Sequence, residues 1–515
     1  MALAEGIQEK MSKKKEENIK KSVFSGLIWT VIEVLSVDGV SFVVSIILAR
    51  LLMPEDFGEI SLVTIFITLA NVFVVYGLGT ALIQKKDSNS VDFSSVFYFN
   101  GGLSIVLYFI LFFCAPLIAS FYGSAKLTLI LRVLGLRIPI ASISTIQNAY
   151  VSKHMQFKKA FWGSLIGTLI SAIVGIWMAY AGCGAWALVG QSLSVTAVNC
   201  IVLFFIIKWK PTLEFSWTRL KALIKYGWKL LVSGFIKVGY DQISGLIIGK
   251  KYTSEDLGLY TKGKKYPELI VTGVNSSMSS VLFPTYAKYQ DDRPRLKNMV
   301  RKSISLSTYI MAPLLIGLAA LATPIISFLL TDKWLGCVPY LQIACLYYLL
   351  QPIQTANLQA IRAVGRSDII LKLDIVKRGF GLVFILIAMW YGMIWIALAP
   401  VAMSLLATII NVMPNKKLIA YTFKEQMADL LPNLLLAGTM GLLCLLISNW
   451  LQGIKLADIW IIIICVIFGG LYYLVGSIIS KNKSWIYILE SIKDLFSKKN
   501  SQKKEDVESG KQDIK

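Results

Sequence analysis

The chain has 515 residues, of which 56% are hydrophobic and 16% charged, with 52 lysines and arginines against 30 acidic residues. A soluble domain carries about 25% charged residues, so this composition excludes an ordinary water-soluble protein. In a soluble chain a net charge of +22 would suggest nucleic-acid binding. No basic-aromatic soluble module accompanies the charge here, and no nucleic-acid partner is predicted.

Apolar stretches of about twenty residues, the length that crosses ~30 Å of hydrocarbon, recur along the chain. The N-terminal residues 1–21 are polar and lysine-rich, and the apolar segment after them is too long for a cleaved signal peptide. We therefore predict an all-α integral membrane protein of about 14 transmembrane helices, at 22–49, 57–82, 94–120, 128–151, 160–180, 185–207, 222–249, 257–283, 302–329, 337–361, 369–391, 393–413, 430–450 and 458–480.

The lysines and arginines set the orientation. With the N-terminus in the cytoplasm, 37 of the 52 basic residues lie on the inner side and nine on the outer side. Because basic residues are retained in cytoplasmic loops, both termini are predicted to be cytoplasmic. After Ser480 an apolar stripe alternates with lysines, which is typical of an interfacial amphipathic helix, and 499–515 is predicted to be disordered.

A repeat divides the chain. The Glu-Asp-apolar-Gly turn of Arg50–Gly58 recurs in Lys250–Gly258, at an offset of 200 residues, and a weaker match links Pro139–Gln147 with Pro352–Gln359. Six spans separate the copies, which indicates a parallel repeat with two bundles around a site that opens alternately to each side. The predicted divisions are a tail (1–21), a six-helix bundle (22–207), a linker (208–221), a second six-helix bundle (222–413), two additional helices (414–480) and a cytoplasmic tail (481–515).

The eighth span carries Lys262, Lys264, Lys265 and Glu268, where the corresponding part of the second span is uncharged. A charge at the bilayer centre costs roughly 2.5–3.5 kcal/mol on insertion scales, so such groups need a reason to be there. Three cations with one acid could attract phosphate. The alternative is that the lysines extend to the outer interface.

The fourth span contains Arg132 and Arg137 without an acidic neighbour on the same helix. The planar guanidinium suits a diphosphate because it binds two oxygens at once. Arg132 is near the outer end of its span and could instead reach the interface, whereas Arg137 is deeper and needs polar surroundings. Both are candidates for a cationic cavity.

Two further charged sets have helical spacing that allows local neutralisation. Asp374 with Lys377 and Arg378 is interpreted as a structural ion pair near the inner end of its span. Lys237 and Asp241 are either a similar pair or part of the cavity, Lys237 as a substrate-binding cation and Asp241 as an ion-coupling acid.

Glu33 and Asp38 are acids in the first span with no cation on that helix. A membrane carboxylate can carry a proton or bind Na⁺. The alternative is a structural pair with a lysine of the seventh span. Together with Asp241 and Glu268, these acids are the candidates for coupling transport to H⁺ or Na⁺.

No catalytic constellation is present. The seven cysteines are scattered without a CxxC pair, and the single histidine excludes a His-based metal site. There is no phosphate-binding GxxxxGK[ST] motif and no nucleophile elbow. The sequence predicts neither an enzyme nor an ATP-driven pump, and no metal or cofactor.

These features resemble the polysaccharide-export flippases of the multidrug/oligosaccharidyl-lipid/polysaccharide superfamily, in particular the Wzx-type branch of colanic-acid and teichuronic-acid exporters. The resemblance covers residues 20 to about 480 and is carried by Ala49–Gly58, Gln147–Lys158 and Leu358–Arg366. It implies two six-helix bundles plus two helices, a cationic cavity and alternating access. The implied substrate is an undecaprenyl-diphosphate-linked oligosaccharide, moved from the inner to the outer leaflet of a bacterial cytoplasmic membrane for surface polysaccharide export. The polysaccharide polymerase machinery is a candidate partner.

Three other functions compete with this interpretation. The charges retained inside the spans oppose one of them, a membrane scaffold without transport. An ion-coupled multidrug exporter of the same superfamily would favour an acidic, aromatic cavity, which the basic eighth span opposes. A membrane glycan polymerase or ligase would need a sizeable outer loop, and every predicted outer loop is short.

Overall fold

The computed structural model describes residues 29, 32–75, 77–85, 87–490 and 493. Within these residues every regular element is helical, which confirms the predicted all-α fold. The basic tail, the start of the first predicted span and the end of the C-terminal tail lie outside the described residues. The chain divides into two compact units, Met1–Thr261 and Lys262–Lys515. The predicted division at the 208–221 linker stays a prediction.

Among the described residues of the first unit, the first element is a π-helical turn, Val34–Asp38, that leads into α1. Its helices are α1 (Gly39–Leu51), α2 (Pro54–Val75), α3 (Leu78–Gln84), α4 (Ser90–Tyr122), α5 (Lys126–Gly135), α6 (Arg137–Lys153), α7 (Phe157–Tyr180), α8 (Ala185–Ile206) and α9 (Trp217–Lys251). Helix α10 (Ser254–Ala287) starts in the first unit and continues into the second.

The second unit contains the remaining helices and a short 3₁₀ turn, Asp332–Cys337, after α12. These helices are α11 (Arg293–Ala320), α12 (Ala322–Leu330), α13 (Val338–Leu349), α14 (Gln351–Ala363), α15 (Ser367–Ala388), α16 (Met393–Leu418), α17 (Phe423–Gly453) and α18 (Asp458–Ile479).

Each predicted span coincides with helix over most of its described length. Among the described residues, ten helical stretches are long and apolar enough to cross a membrane. Helices α10 and α15 are not among them. These two helices carry the lysine set of the eighth span and the Asp374 ion pair, which reduce their hydropathy. The number of helices is consistent with about 14 spans.

The fourth and tenth predicted spans are each broken into two helices. Helix α5 ends at Gly135 and α6 begins at Arg137, and α13 ends at Leu349 before α14 begins at Gln351. In each case a proline, Pro139 or Pro352, lies in the first turn of the second helix. Proline fits the first turn, where an N–H would have no helical partner, and it cannot continue a preceding helix without a clash. The two breaks occupy the positions that the weaker repeat match links.

The strongest repeat match is also a contact within the first unit. Ser61 Oγ lies 3.2 Å from Thr261 Oγ1, at the 200-residue offset. A β-carbon built on Gly58 would lie 1.6 Å from the Ser254 carbonyl oxygen, and one on Gly258 would lie 2.0 Å from the Pro54 carbonyl oxygen. The backbones of α2 and α10 therefore touch where the two glycines meet, and no residue with a β-carbon fits.

Small residues bring α7 against α8. Gly163, Gly167, Ser171 and Gly175 recur every four residues, which places them on one face of α7. A β-carbon at Gly163 would lie 3.0 Å from the Leu203 side chain of α8. Small residues at this spacing let membrane helices approach closely, where van der Waals contact stabilises the pair.

The segment after α8 is fixed to the start of α4. The Thr212 N–H donates to Ser94 Oγ and the Ser216 N–H donates to Ser95 Oγ, both at 2.9 Å. Trp209 is buried, and its ring contacts Phe93. This part of the predicted linker is therefore held on the first unit.

Asp92 anchors the same region. Its carboxylate is fully buried, completes a capping box with Asn89, and accepts from Lys85 Nζ at 2.8 Å. Arg219 at the start of α9 lies 3.8 Å away. Because a buried carboxylate is stable only when it is paired and hydrogen-bonded, Asp92 ties three segments of the chain together.

The two C-terminal helices pack on α11 in the second unit. Arg301 of α11 forms a double hydrogen bond with Asp429 of α17, at 2.6 and 2.8 Å. The Tyr473 hydroxyl of α18 donates to the Tyr309 carbonyl at 2.9 Å. That carbonyl precedes Pro313 by four residues, so it has no helical donor and the tyrosine supplies one.

The beginning of the predicted amphipathic tail also contacts the second unit. Trp485 and Ile488 pack against a cluster that includes Met440 of α17 and Tyr473 of α18. The later apolar residues of this tail, from Ile492 onward, lie outside the described residues. The interfacial helix stays a prediction.

Candidate functional site

Arg132 is held where a proline interrupts α4. Pro116 has no N–H, so the Phe112 carbonyl four residues earlier loses its helical donor. Arg132 Nε donates to that carbonyl at 3.2 Å, and the guanidinium lies 4.3 Å from the centre of the Phe112 ring. Arg132 therefore has a structural contact within the first unit.

Arg137 is placed differently. It is the first residue of α6 and is half-buried, and its Nη1 donates to Ser192 Oγ of α8 at 3.3 Å. Ser192 is neutral, and within the part of the chain that the structure describes no carboxylate forms a salt bridge with Arg137. A half-buried guanidinium with a weak neutral partner can bind an anion.

The two acids of the first span lie at either end of the π-helical turn. Glu33 Oε1 accepts from Ser164 Oγ of α7 at 2.7 Å, so its contact in the structure is a hydroxyl. Asp38, the last residue of the turn, is exposed. Single π turns are frequent at functional sites, which fits a role for these acids without assigning one.

The lysines of the eighth span do not share one face. Lys262 is 6% exposed, and its Nζ lies 5.7 Å from the centre of the buried Trp334 ring. Lys265 is exposed and lies 3.8 Å from Glu268. At 3.6 residues per turn, Lys264 points about 200° away from Lys262. These residues are close along α10, but they face different surroundings.

The other predicted charges separate into two kinds. Lys237 and Asp241 are both exposed on α9. Lys377 Nζ and Asp374 Oδ1 are 2.8 Å apart, which confirms the predicted structural pair on α15.

Sequence reasoning missed a group of neutral polar residues in the second unit. Asn275 of α10 donates to Gln351 of α14 at 3.2 Å, and Thr355 donates to Asn275 at 3.4 Å. Gln351 donates in turn to the Tyr347 hydroxyl of α13 at 3.3 Å. We call these four residues the amide cluster. The available signal was the run Asn275–Ser280, which contains four serines within a predicted span.

No site for a metal ion is evident in the described ranges, where His, Cys, Asp and Glu side chains form no group of three.

Comparison with known proteins identifies relatives of this chain. Residues 47–339 match the family model described as polysaccharide biosynthesis protein. The succinoglycan biosynthesis transport protein ExoT of Rhizobium meliloti (strain 1021) is 26% identical over 68% of this chain and 71% of its own length. The teichuronic acid biosynthesis protein TuaB of Bacillus subtilis (strain 168) is 23% identical over 89% of this chain and 95% of its own length.

A solved structure has a similar fold. The lipid II flippase MurJ in an inward closed conformation superposes with a TM-score of 0.71, over 89% of this chain and 99% of that one. The sequence identity is 16%, so this likeness concerns the fold.

Proposed function

Because the chain belongs to the polysaccharide biosynthesis protein family, we propose that it is a flippase for lipid-linked oligosaccharides. Its substrate would be an undecaprenyl-diphosphate-linked repeat unit, moved from the inner to the outer leaflet of a bacterial cytoplasmic membrane by alternating access. Both termini would be cytoplasmic. The polysaccharide polymerase that uses the outer-leaflet product would be a functional partner.

Arg137 is the observation that carries this proposal. A guanidinium inside a membrane protein needs a compensating group, and Ser192 offers only a neutral hydroxyl. The diphosphate of a lipid-linked oligosaccharide supplies two charges and a geometry that matches the guanidinium fork. Arg137 would therefore bind the headgroup in the first unit. Lys237 of the first unit and the lysines of α10 in the second unit are separate candidates for attracting an anionic headgroup.

The acids would couple this movement to an ion. Glu33, Asp38, Asp241 and Glu268 are the candidates, and H⁺ or Na⁺ is the proposed ion. The contact between Glu33 and Ser164 supports Glu33, because a hydroxyl can bond either protonation state of a carboxyl group.

The test is transport in vesicles that contain the purified protein and a polyprenyl-diphosphate-linked oligosaccharide. We expect the wild-type protein to speed the appearance of the glycan on the far leaflet. Hydrogen bonds to charged groups contribute about 1.5–3 kcal/mol, so Arg137→Gln should lower the apparent affinity by roughly 10-fold to 150-fold.

Two variants control this experiment. Arg137→Lys keeps the charge but loses the fork, and should lie between the wild type and Arg137→Gln. Arg366→Gln removes a charge from an exposed pair with Asp368 and should leave transport unchanged. A wild-type protein that moves no glycolipid but exports cationic drugs would show that the chain is a multidrug exporter instead.

A further inference from the structure

Two long helices expose faces of opposite chemistry. On α4 most of the exposed residues between Tyr98 and Phe121 are large and apolar, among them Ile110, Phe113 and Leu117. On α10 the exposed residues from Thr272 to Ser280 are polar or small: Thr272, Gly273, Ser276, Ser277 and Ser280. Exposed apolar residues follow at Val281 and Phe283. A lipid-facing helix favours the first composition, because polar groups in hydrocarbon lose their hydrogen bonds to water. The face of α10 is therefore suited to water or to a polar ligand.

The serines of α10 present acceptors rather than donors. Ser276 and Ser277 donate their hydroxyl protons to the Gly273 carbonyl at 2.9 Å, and Ser280 donates to the Ser277 carbonyl at 2.8 Å. The lone pairs of each hydroxyl remain for a partner outside the helix. Such a surface fits a ligand that is rich in O–H donors.

The amide cluster lies beside this face, because Asn275 is on the same turns of α10. Its hydrogen bonds are 3.2–3.4 Å long, and its four members are half-buried. Amide N–H···O bonds are usually 2.9–3.0 Å long, so this network is loose and a ligand hydroxyl could replace one of its bonds. Amides can both donate to and accept from a sugar hydroxyl, and the Tyr347 ring adds an apolar surface.

No charged residue occurs on α10 between Leu269 and Ala287. The surface is therefore neutral over about 28 Å of helix. An anionic headgroup would gain little from it, whereas an uncharged polyol would gain several neutral hydrogen bonds. This separates the chemistry of this stretch of α10 from that of Arg137 in the first unit.

We propose that the amide cluster, together with Ser276, Ser277 and Ser280, forms a carbohydrate-binding site for the sugar hydroxyls of the transported substrate. We call this set of residues the neutral face. The proposal rests on the proposed flippase function and assigns recognition of the glycan to the neutral face, apart from the residues proposed to bind the diphosphate. The neutral face would then discriminate between glycans attached to the same lipid.

The first experiment tests whether the neutral face meets water. Ser276→Cys and the control Ile110→Cys, from the apolar face of α4, are treated with a membrane-impermeant maleimide in vesicles opened to both sides. We expect labelling above that of the unsubstituted protein for Ser276→Cys alone. Equal labelling of the two variants, or none of either, would overturn the assignment.

The second experiment tests recognition of sugar. Transport is measured with polyprenyl diphosphate that carries a neutral trisaccharide and with polyprenyl diphosphate alone. In the double variant Asn275→Leu/Gln351→Met the amides are lost but the side-chain size is nearly kept. We expect its apparent KM to rise roughly tenfold for the trisaccharide probe, because two neutral hydrogen bonds to the sugar are lost. The apparent KM for the bare lipid should stay unchanged.

Gln342→Met is the matched control, because the Gln342 amide donates to the Ala319 carbonyl at 3.1 Å and is not a member of the amide cluster. It should change transport of neither probe. An equal change for both probes in the double variant, or no change, would refute the carbohydrate site and leave the flippase function standing. A wild-type protein that moves neither probe would refute the flippase function itself.

Discussion

Replacing Gly258 by alanine should destabilise the protein, although the same change stabilises most helices. Alanine is favoured over glycine by about 0.5–1 kcal/mol in a helix. The added β-carbon, however, would lie 2.0 Å from the Pro54 carbonyl oxygen and 3.1 Å from the Gly58 nitrogen. Carbon and oxygen atoms need roughly 3.2 Å or more, so the two backbones must separate by about 1 Å or more.

The separation has a cost that exceeds the gain in helix propensity. Overpacking of a well-packed site costs about 1–3 kcal/mol, and sometimes more when backbone must move. The expected net effect is destabilisation by roughly 1–2 kcal/mol, after the propensity gain is subtracted. The Ser61–Thr261 contact one turn along should be lost as well.

The assay is thermal unfolding of the purified protein in detergent, followed by tryptophan fluorescence or by aggregation. Gly102→Ala on α4 is the control, because its β-carbon would have no neighbour within 4 Å. Gly102→Ala should unfold at the same or a higher temperature than the wild type, and Gly258→Ala at a lower one. Equal midpoints for the two variants would refute the close crossing of α2 and α10.

Other consequences can be measured directly. Arg132→Gln should destabilise the protein by about 1–2 kcal/mol by leaving the Phe112 carbonyl without a donor. Adding Pro116→Ala, which restores a helical N–H, should relieve part of that loss. Effects of the two substitutions that simply add in thermal unfolding would contradict this. Asp92→Asn should cost about 3 kcal/mol because it removes the buried charge that accepts from Lys85 Nζ and from the Asn89 N–H. An unchanged unfolding midpoint would show that the anchor is dispensable. Glu33→Gln should alter how transport in vesicles depends on pH or Na⁺, whereas an unaltered dependence with a lower unfolding temperature would make this acid structural.

The helices could be predicted because the length and hydropathy of a segment are local properties of the sequence. A run of twenty apolar residues has few alternatives to a membrane helix, and the repeat at Gly58 and Gly258 was visible as a four-residue match. The breaks near Pro139 and Pro352 followed less clearly, since proline permits several outcomes in a long apolar segment.

The directions of the side chains could not be predicted, because they depend on tertiary packing. Lys262 and Lys265 are three residues apart, yet one is buried beside Trp334 and the other is exposed. Arg132 was expected to bind substrate or reach the interface, and its contact with a carbonyl depends on a proline sixteen residues earlier on another helix. The amide cluster was missed because its neutral side chains carry no charge, and only charged residues within the spans were treated as candidates.

The prolines of α4 and α11 have a consequence for motion. A proline inside a membrane helix is often regarded as a hinge, because the carbonyl four residues before it has no helical donor and can take new partners. Here the Phe112 carbonyl accepts a hydrogen bond from Arg132, and the Tyr309 carbonyl accepts one from the Tyr473 hydroxyl. Bending either helix at its proline would break these hydrogen bonds and leave the donors without partners. Both helices should therefore be rigid at these prolines. The hinges of a transport cycle should be sought in other parts of the chain.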